Sequence, residues 1–383
     1  MKNGKKVVAL ILAVALMVVP LVACSNGGNG NSDTIKIGGL APLTGSVSVY
    51  GIATNNAVML AVEEINENGG LLGKQIDYVY YDEKGEETEA VNAYNKLVQN
   101  DKVVAIVGDV TSKPCSAVAQ KAVLDKIPMI TATGTAADIT EKGENIFRAC
   151  FTDPFQGELM ASYAYKKLGK KSAAVLYDIS DDYCKGLTES FQAAAETLGL
   201  DVVAVEGYNK GAVDFKAQLT NIKNKKPEVI FLPVYYEDVA KIVVQAQELG
   251  IEAQYLGADG WDGVINQVGS KTDAVQGAYY CSQYSAEDPS PELKAFLDKY
   301  KEKYKTDANQ FAVLGYDAMN LLAQAIEEAG STDSDKVVAA MKDIDFTGLT
   351  GHIVFDENRN PIKQAAITMI DGGEYKFIEY YEK

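Results

Sequence analysis

Residues 103–140 read VVAIVGDVTSKPCSAVAQKAVLDKIPMITATGTAADIT. The opening run, 103–107, is short and rich in β-branched residues, which suits a buried strand. Gly108-Asp109-Val110-Thr111 breaks it. A helix is expected over 112–126, with Pro114 near its first turn, where the missing N–H costs nothing. A second strand follows at 128–131, then another loop of small polar residues at 131–135. Strand, helix and strand in this order make the repeating unit of a parallel sheet covered by helices.

The same alternation extends in both directions. Upstream, strands at 35–40 and 75–81 alternate with helices at 52–68 and 86–99. The first of these helices puts Val58, Ala61, Val62 and Ile65 on one face, and Asn68-Gly69-Gly70 supplies its exit, because glycine accepts the left-handed conformation. Downstream the rhythm restarts, with helices at 155–168, 183–198, 214–223 and 239–249 between strands at 173–177, 201–206, 229–232, 255–257 and 277–281. Helices at 291–304, 309–329 and 335–342 follow. The tail is strand-like at 352–355, 365–370 and 375–381, with Asp371-Gly372-Gly373 as a turn. Two such runs imply an α/β protein of two similar Rossmann-like lobes with mainly parallel sheets. Ligands of such sheets bind outside the carboxyl ends of the strands, so the loops that leave each strand are the ones to inspect.

Length and composition agree with this division. A chain of 383 residues, 47% hydrophobic and 23% charged, exceeds the ~250–300 residues at which single cores stop growing. Its net charge of −17 argues against nucleic acid and anionic bilayers as direct partners. The amino end is different. Met1 to Lys6 is basic, and 7–22 is an almost unbroken apolar run, the arrangement of a secretory signal; an uncleaved anchor helix is the alternative. Leu21-Val22-Ala23-Cys24 resembles the bacterial lipobox, which implies cleavage after 23 and lipid on Cys24. Residues 25–32 (SNGGNGNS) then read as a flexible tether. The other cysteines, Cys115, Cys150, Cys184 and Cys281, have no CxxC spacing, so zinc is not expected. Export permits disulfides, but free buried thiols are the simpler expectation.

Three first-half loops carry the polar chemistry: 41–50, ending in Tyr50; 108–112, ending in Ser112; and 131–135, ending in Thr135. Helix N-termini there offer unpaired N–H groups suited to a carboxylate, although Ser and Thr also serve as ordinary caps. In the second half, LGADGW places Asp259 at a strand exit, where it either holds an ammonium or is solvated. The sole histidine, His352, starts a strand-like run, and no GxSxG, HExxH or P-loop pattern occurs in the folded part. Asp181-Asp182 could mimic a catalytic carboxylate pair, but an adjacent pair on a helix-starting loop is the position of a solvated cap. An enzyme is not expected, nor a cofactor or metal.

Four segments carry a resemblance: IKIGGLAPLTGSVSVYG (35–51), AVEEINENGGLLGKQI (61–76), 103–140 as quoted, and YLGADGWDG (255–263). In this order, behind a lipobox, they resemble the leucine/isoleucine/valine-binding proteins and the wider type I periplasmic binding family. The resemblance implies a three-stranded hinge with crossovers near Thr152, Gln283 and Ile362. One lobe would span 34–152 with 283–362 and the other 153–282 with 363–383, after a signal peptide at 1–23 and a lipidated tether at 24–33. It also implies that Ser112 and Thr135 hold an α-carboxylate, that the Thr133 carbonyl and Asp259 receive an α-ammonium, and that Tyr50, Tyr183, Tyr235 and Phe311 form an aromatic wall. Gly134 and Trp261 complete the expected site. Thr133-Gly134-Thr135 departs from a more usual Ala-Ala-Thr, and Asp259 stands where longer Glu is usual. The implied function is capture of a free amino acid, with Leu, Ile or Val foremost, by a monomer lipid-anchored outside the cell. Delivery would be to an ABC permease and its ATPase. Another amino acid, aromatic or small and polar, an amide or an aromatic acid, or a sensing role with a separate partner, is the alternative.

Overall fold

A computed structural model describes residues 34–288 and 290–381. The leader, Cys24 and the tether lie outside the described residues. Five strands, β1 (Thr34–Ala41), β2 (Gln75–Asp82), β3 (Ala105–Val107), β4 (Met129–Thr131) and β5 (Ile146–Arg148), form an all-parallel sheet in the order β2-β1-β3-β4-β5. Side chains of β1 alternate between its faces. Ile35 and Ile37 enter a core with the helices Ser48–Glu67 and Gln310–Ala329. Gly38 faces Leu97 and Val103 on the opposite side, where Glu87–Lys96 and Ser112–Asp125 pack. Both faces are thus covered, as a parallel sheet requires.

The second sheet has seven strands. In chain order these are β6 (Ser172–Asp178), β7 (Asp201–Tyr208), β8 (Val229–Leu232), β9 (Gln254–Gly257) and β10 (Tyr279–Ser282), and, after a separate hairpin of β11 (Phe346–Gly348) and β12 (Gly351–Ile353), β13 (Ala365–Asp371) and β14 (Glu374–Tyr381). Their order is β14-β13-β10-β9-β8-β6-β7. Only the β10–β13 and β13–β14 pairs in this sheet are antiparallel. Its interior strand β8 (VIFL) is buried throughout, so its apolar run does not alternate. The chain passes between the lobes three times: after β5, after β10, and between β12 and β13.

The structure departs from the sequence expectations at several ends. The helix expected from 52 begins at Ser48. Gly45, at φ 92°, turns the chain so closely over Lys84 that a Cβ there would lie 2.8 Å from its carbonyl oxygen, and the helix can start directly after this turn. Tyr50 therefore sits on a first helical turn, not in a loop. The strand expected at 352–355 shortens to β12, which pairs with β11 in the separate hairpin, and Phe355 makes an isolated bridge to Pro361. β5 and β11 were not foreseen. Each has three residues, too few to show a period.

Candidate functional site

The strand exits of the two sheets face one another. Ser112, Thr133, Thr135 and Phe311 from the first lobe and Tyr183, Tyr235 and Asp259 from the second line one chamber, with Val110, Thr111 and Gly260. Its volume is ≈ 10 Å³, enough for about one water. In this closed arrangement a larger ligand enters only when the lobes part.

Ser112 is not a cap of its own helix. The cap is Thr111, whose side chain makes no capping bond. The Ser112 hydroxyl instead accepts the N–H groups of Thr135 (3.3 Å) and Ala136 (3.1 Å), joining the two first-lobe loops. Behind them lies Arg148, fully buried. Its guanidinium donates to the carbonyls of Gly134 (2.9 Å), Ala136 (2.8 Å) and Ala137 (3.1 Å) and to the Thr140 hydroxyl (3.2 Å). A trans peptide points its C=O and N–H in opposite directions. Turning the Gly134 carbonyl to Arg148 therefore turns the Thr135 N–H toward Ser112. Among the described residues no carboxylate lies in ion-pair contact with Arg148, though Asp138 and Asp153 feel its charge, which stands behind the loop. That is a favourable setting for an anion.

Asp259 supplies the opposite charge. Only 4% of its surface is exposed. The Tyr183 hydroxyl donates to its Oδ1 at 2.9 Å and accepts the Gly260 N–H at 2.9 Å. Gln156 and Gln310 hold the Asp259 backbone, accepting its N–H (3.0 Å) and donating to its carbonyl (2.9 Å). Burial pushes the Asp259 carboxyl up to about 6, against the lowering effect of these hydrogen bonds. A buried carboxylate in this position gains most from a cation brought against it. Thr133 points its hydroxyl away, to the Val110 carbonyl at 2.7 Å.

Aromatic rings close the chamber. Tyr183 and Tyr235 stack at 4.8 Å and 7°. Tyr50 stacks on Phe311 at 3.9 Å and 14°. The Tyr50 hydroxyl reaches across to the other lobe, donating to the Gly260 carbonyl (2.6 Å) and accepting the Tyr236 N–H (3.2 Å). Lys210 pairs with Glu86 (2.8 Å) and Lys113 donates to the Ser180 carbonyl (3.2 Å), both near the mouth.

Three expected site residues are not in the chamber lining: Tyr50, which packs against Phe311 and Tyr235; Trp261; and Gly134. Trp261 folds back beneath Gly257, where a Cβ would lie 2.3 Å from its ring, and its indole N–H donates to the Leu232 carbonyl at 2.8 Å. It is core of the second lobe. Gly134 faces Cys115 and Ile139, and its carbonyl is engaged by Arg148. Four residues around the site escaped the sequence reading: Arg148, Gln156, Gln310 and Asp153. Asp153 is fully buried, its backbone N–H donating to the Thr135 carbonyl at 2.9 Å. Burial drives its carboxyl well upward. A charged residue inside the apolar run IFRACF (146–151) was the available signal for Arg148.

The four described cysteines are free and buried. His352 pairs with Asp345 at 2.9 Å on the surface. No group of three His, Cys, Asp or Glu among the described residues is placed to hold a metal.

Residues 34–374 match the family model described as periplasmic binding protein. The chain is 31% identical, over 85% of its length and 87% of the relative's, to the leucine-, isoleucine-, valine-, threonine- and alanine-binding protein of Pseudomonas aeruginosa. The crystal structure of a leucine binding protein, LivK, from Thermotoga maritima superposes with a TM-score of 0.85 at 35% identity, covering 90% of this chain and 98% of that one. That of the branched-chain amino acid transporter substrate binding protein LivJ of Streptococcus pneumoniae, in complex with isoleucine, gives 0.85 at 35%, covering 91% and 99%. With its paired α/β lobes and a polar chamber between them, the chain belongs to the periplasmic binding protein family, whose members bind solutes and are not enzymes.

Proposed function

We propose that this protein captures a free amino acid, foremost one with a branched aliphatic side chain (Leu, Ile or Val), between its lobes, and delivers it to the permease of an ABC importer. The observation that carries this is the division of charge across the chamber. Ser112 and the Thr135 loop, backed by Arg148, offer donors and positive potential from one lobe. Asp259 offers a buried acid from the other. A zwitterion fits both ends at once, and a ligand that bridges both lobes favours the closed form. The apolar faces of Phe311, Tyr183 and Tyr235 suit an aliphatic side chain, and the relatives named for leucine and isoleucine point the same way. An aromatic acid would leave Asp259 without a cation.

The lobes are taken as 34–152 with 283–362 and 153–282 with 363–383, acting as a monomer. Signal cleavage after 23 and a lipid on Cys24 would hold the protein on the outer face of the membrane, with 24–33 as tether. Asp259→Asn is expected to weaken amino-acid binding by ~2–5 kcal/mol, the range for truncating one side of a buried charge pair. Titration calorimetry showing unchanged affinity would remove Asp259 from the site.

A further inference from the structure

We propose that Asp262 and Gln310 are positioning residues that form a catch between the lobes: the Asp262 carboxylate holds the amino end of the first-lobe helix Gln310–Ala329, and Gln310 in turn sets Asp259 in place. This rests on the reading of the interlobe chamber as the capture site and deepens it, because the catch slows the release of every ligand by the same factor.

The turn that follows β9 belongs to the second lobe, and the helix Gln310–Ala329 packs on the first sheet through Leu314, Ala318 and Leu321. The two meet beside the chamber. Asp262 is 7% exposed, and its Oδ2 accepts the Gln310 N–H at 3.0 Å. Gln310 has no exposed surface. Its Nε2 donates to the Asp259 carbonyl at 2.9 Å, and its Oε1 accepts the Gln283 N–H at 3.0 Å. The Gln283 side chain then accepts the Phe151 N–H at 3.3 Å. One buried side chain thus ties the Asp259 turn to two of the segments by which the chain passes between the lobes.

The helix already has a cap of its own, Asn309, whose side chain accepts the Ala312 N–H at 3.1 Å. The Gln310 N–H is one of the donors that a helix start leaves over, and a residue of the other lobe takes it. This end of a helix carries a partial positive charge, and a charged acceptor there makes a stronger bond than a neutral one. When the lobes part, the turn and the helix separate, and water replaces the bond. Every atom of the catch belongs to the chain, so its contribution to closure does not depend on which amino acid is enclosed. It changes the share of closed protein and so scales all affinities together. The Asp259 side chain differs, because it acts only on a ligand that brings a cation.

Asp262→Asn keeps the shape of the side chain and removes its charge. Stopped-flow measurements with leucine, isoleucine and valine are expected to show release faster by about fivefold for all three. The measurements belong in mildly alkaline buffer, because burial raises the Asp262 carboxyl to about 6. Gln310→Glu retains the acceptor for Gln283 but loses the donor to Asp259, and it should also speed the release of all three by a common factor. Circular dichroism on both variants establishes that they fold. Unchanged release from folded Asp262→Asn, or factors that differ among the three ligands, overturns the proposal. If the parent protein binds no amino acid, the capture reading falls, and small-angle scattering then decides the catch on its own: Asp262→Asn should have a larger radius of gyration than the parent, and an equal radius overturns it.

Discussion

Arg148 shows how much one side chain can organise. It satisfies three loop carbonyls from a position with no exposed surface. Arg148→Met would leave those carbonyls without their donor and is expected to cost about 2–5 kcal/mol in chemical denaturation. Arg148→Lys retains the charge but not the planar fork, so it should recover only part of this. Ser112, Thr135 and Asp259 were legible in the sequence because each sits in a strand-exit loop, where the fold places ligands. Arg148 and Asp153 were not, because both act on a loop more than ten residues away along the chain. Trp261 misled for a related reason. Two places from Asp259 on a tight turn, its side chain points the other way, and only the gap above Gly257 shows where it goes.

The loops after β2 and β3 are braced against each other by Glu83 and Asp109, both buried without exposed surface. Glu83 Oε2 accepts the N–H groups of Gly85 (2.8 Å) and Glu86 (3.1 Å), and Asp109 Oδ1 accepts that of Val110 (2.6 Å). Burial raises both carboxyls above the ordinary carboxylate range, and for Glu83 repulsion from Asp109 adds to it. A raised folded-state pKa means that the native protein binds more protons than the unfolded chain. The stabilisation is then full below the usual carboxylate pKa of about 4 and is lost as pH rises through the raised values. Glu83→Gln removes one titrating member of the pair. Its stability relative to the parent should improve between pH 5 and pH 9 by about 1–3 kcal/mol, as read from denaturation midpoints. An unchanged difference would mean that the two acids do not hold a proton between them. At this scale the long helices were readable from their apolar stripes. The three-residue strands were not, because tertiary pairing rather than local pattern creates them.

Across the whole molecule, the contacts that join the closed lobes are of unequal worth, from exposed ion pairs to buried bonds such as those of Gln310 to Asp259 and Asp262. The Lys210–Glu86 pair is more than half exposed on both sides and contributes little. Tyr50 contributes more, because its hydroxyl bonds to Gly260 and Tyr236 are buried. Tyr50→Phe retains the stack on Phe311 but loses both bonds. It should speed ligand release by roughly five- to 150-fold in stopped-flow measurements, given ~0.5–1.5 kcal/mol net for each of the two hydrogen bonds. The two-lobed α/β architecture was visible in the restart of the strand–helix rhythm near residue 153. The degree of closure was not, because it depends on side chains from opposite halves of the chain meeting at one point.

The chamber is walled by residues of both lobes and is barely larger than a water molecule. Cargo larger than that needs the jaws apart to come or go, so the fastest it can be let go is set by how often they swing open. Weak and strong passengers would then share one upper speed of departure, and only a mechanical opening from outside could hurry either of them.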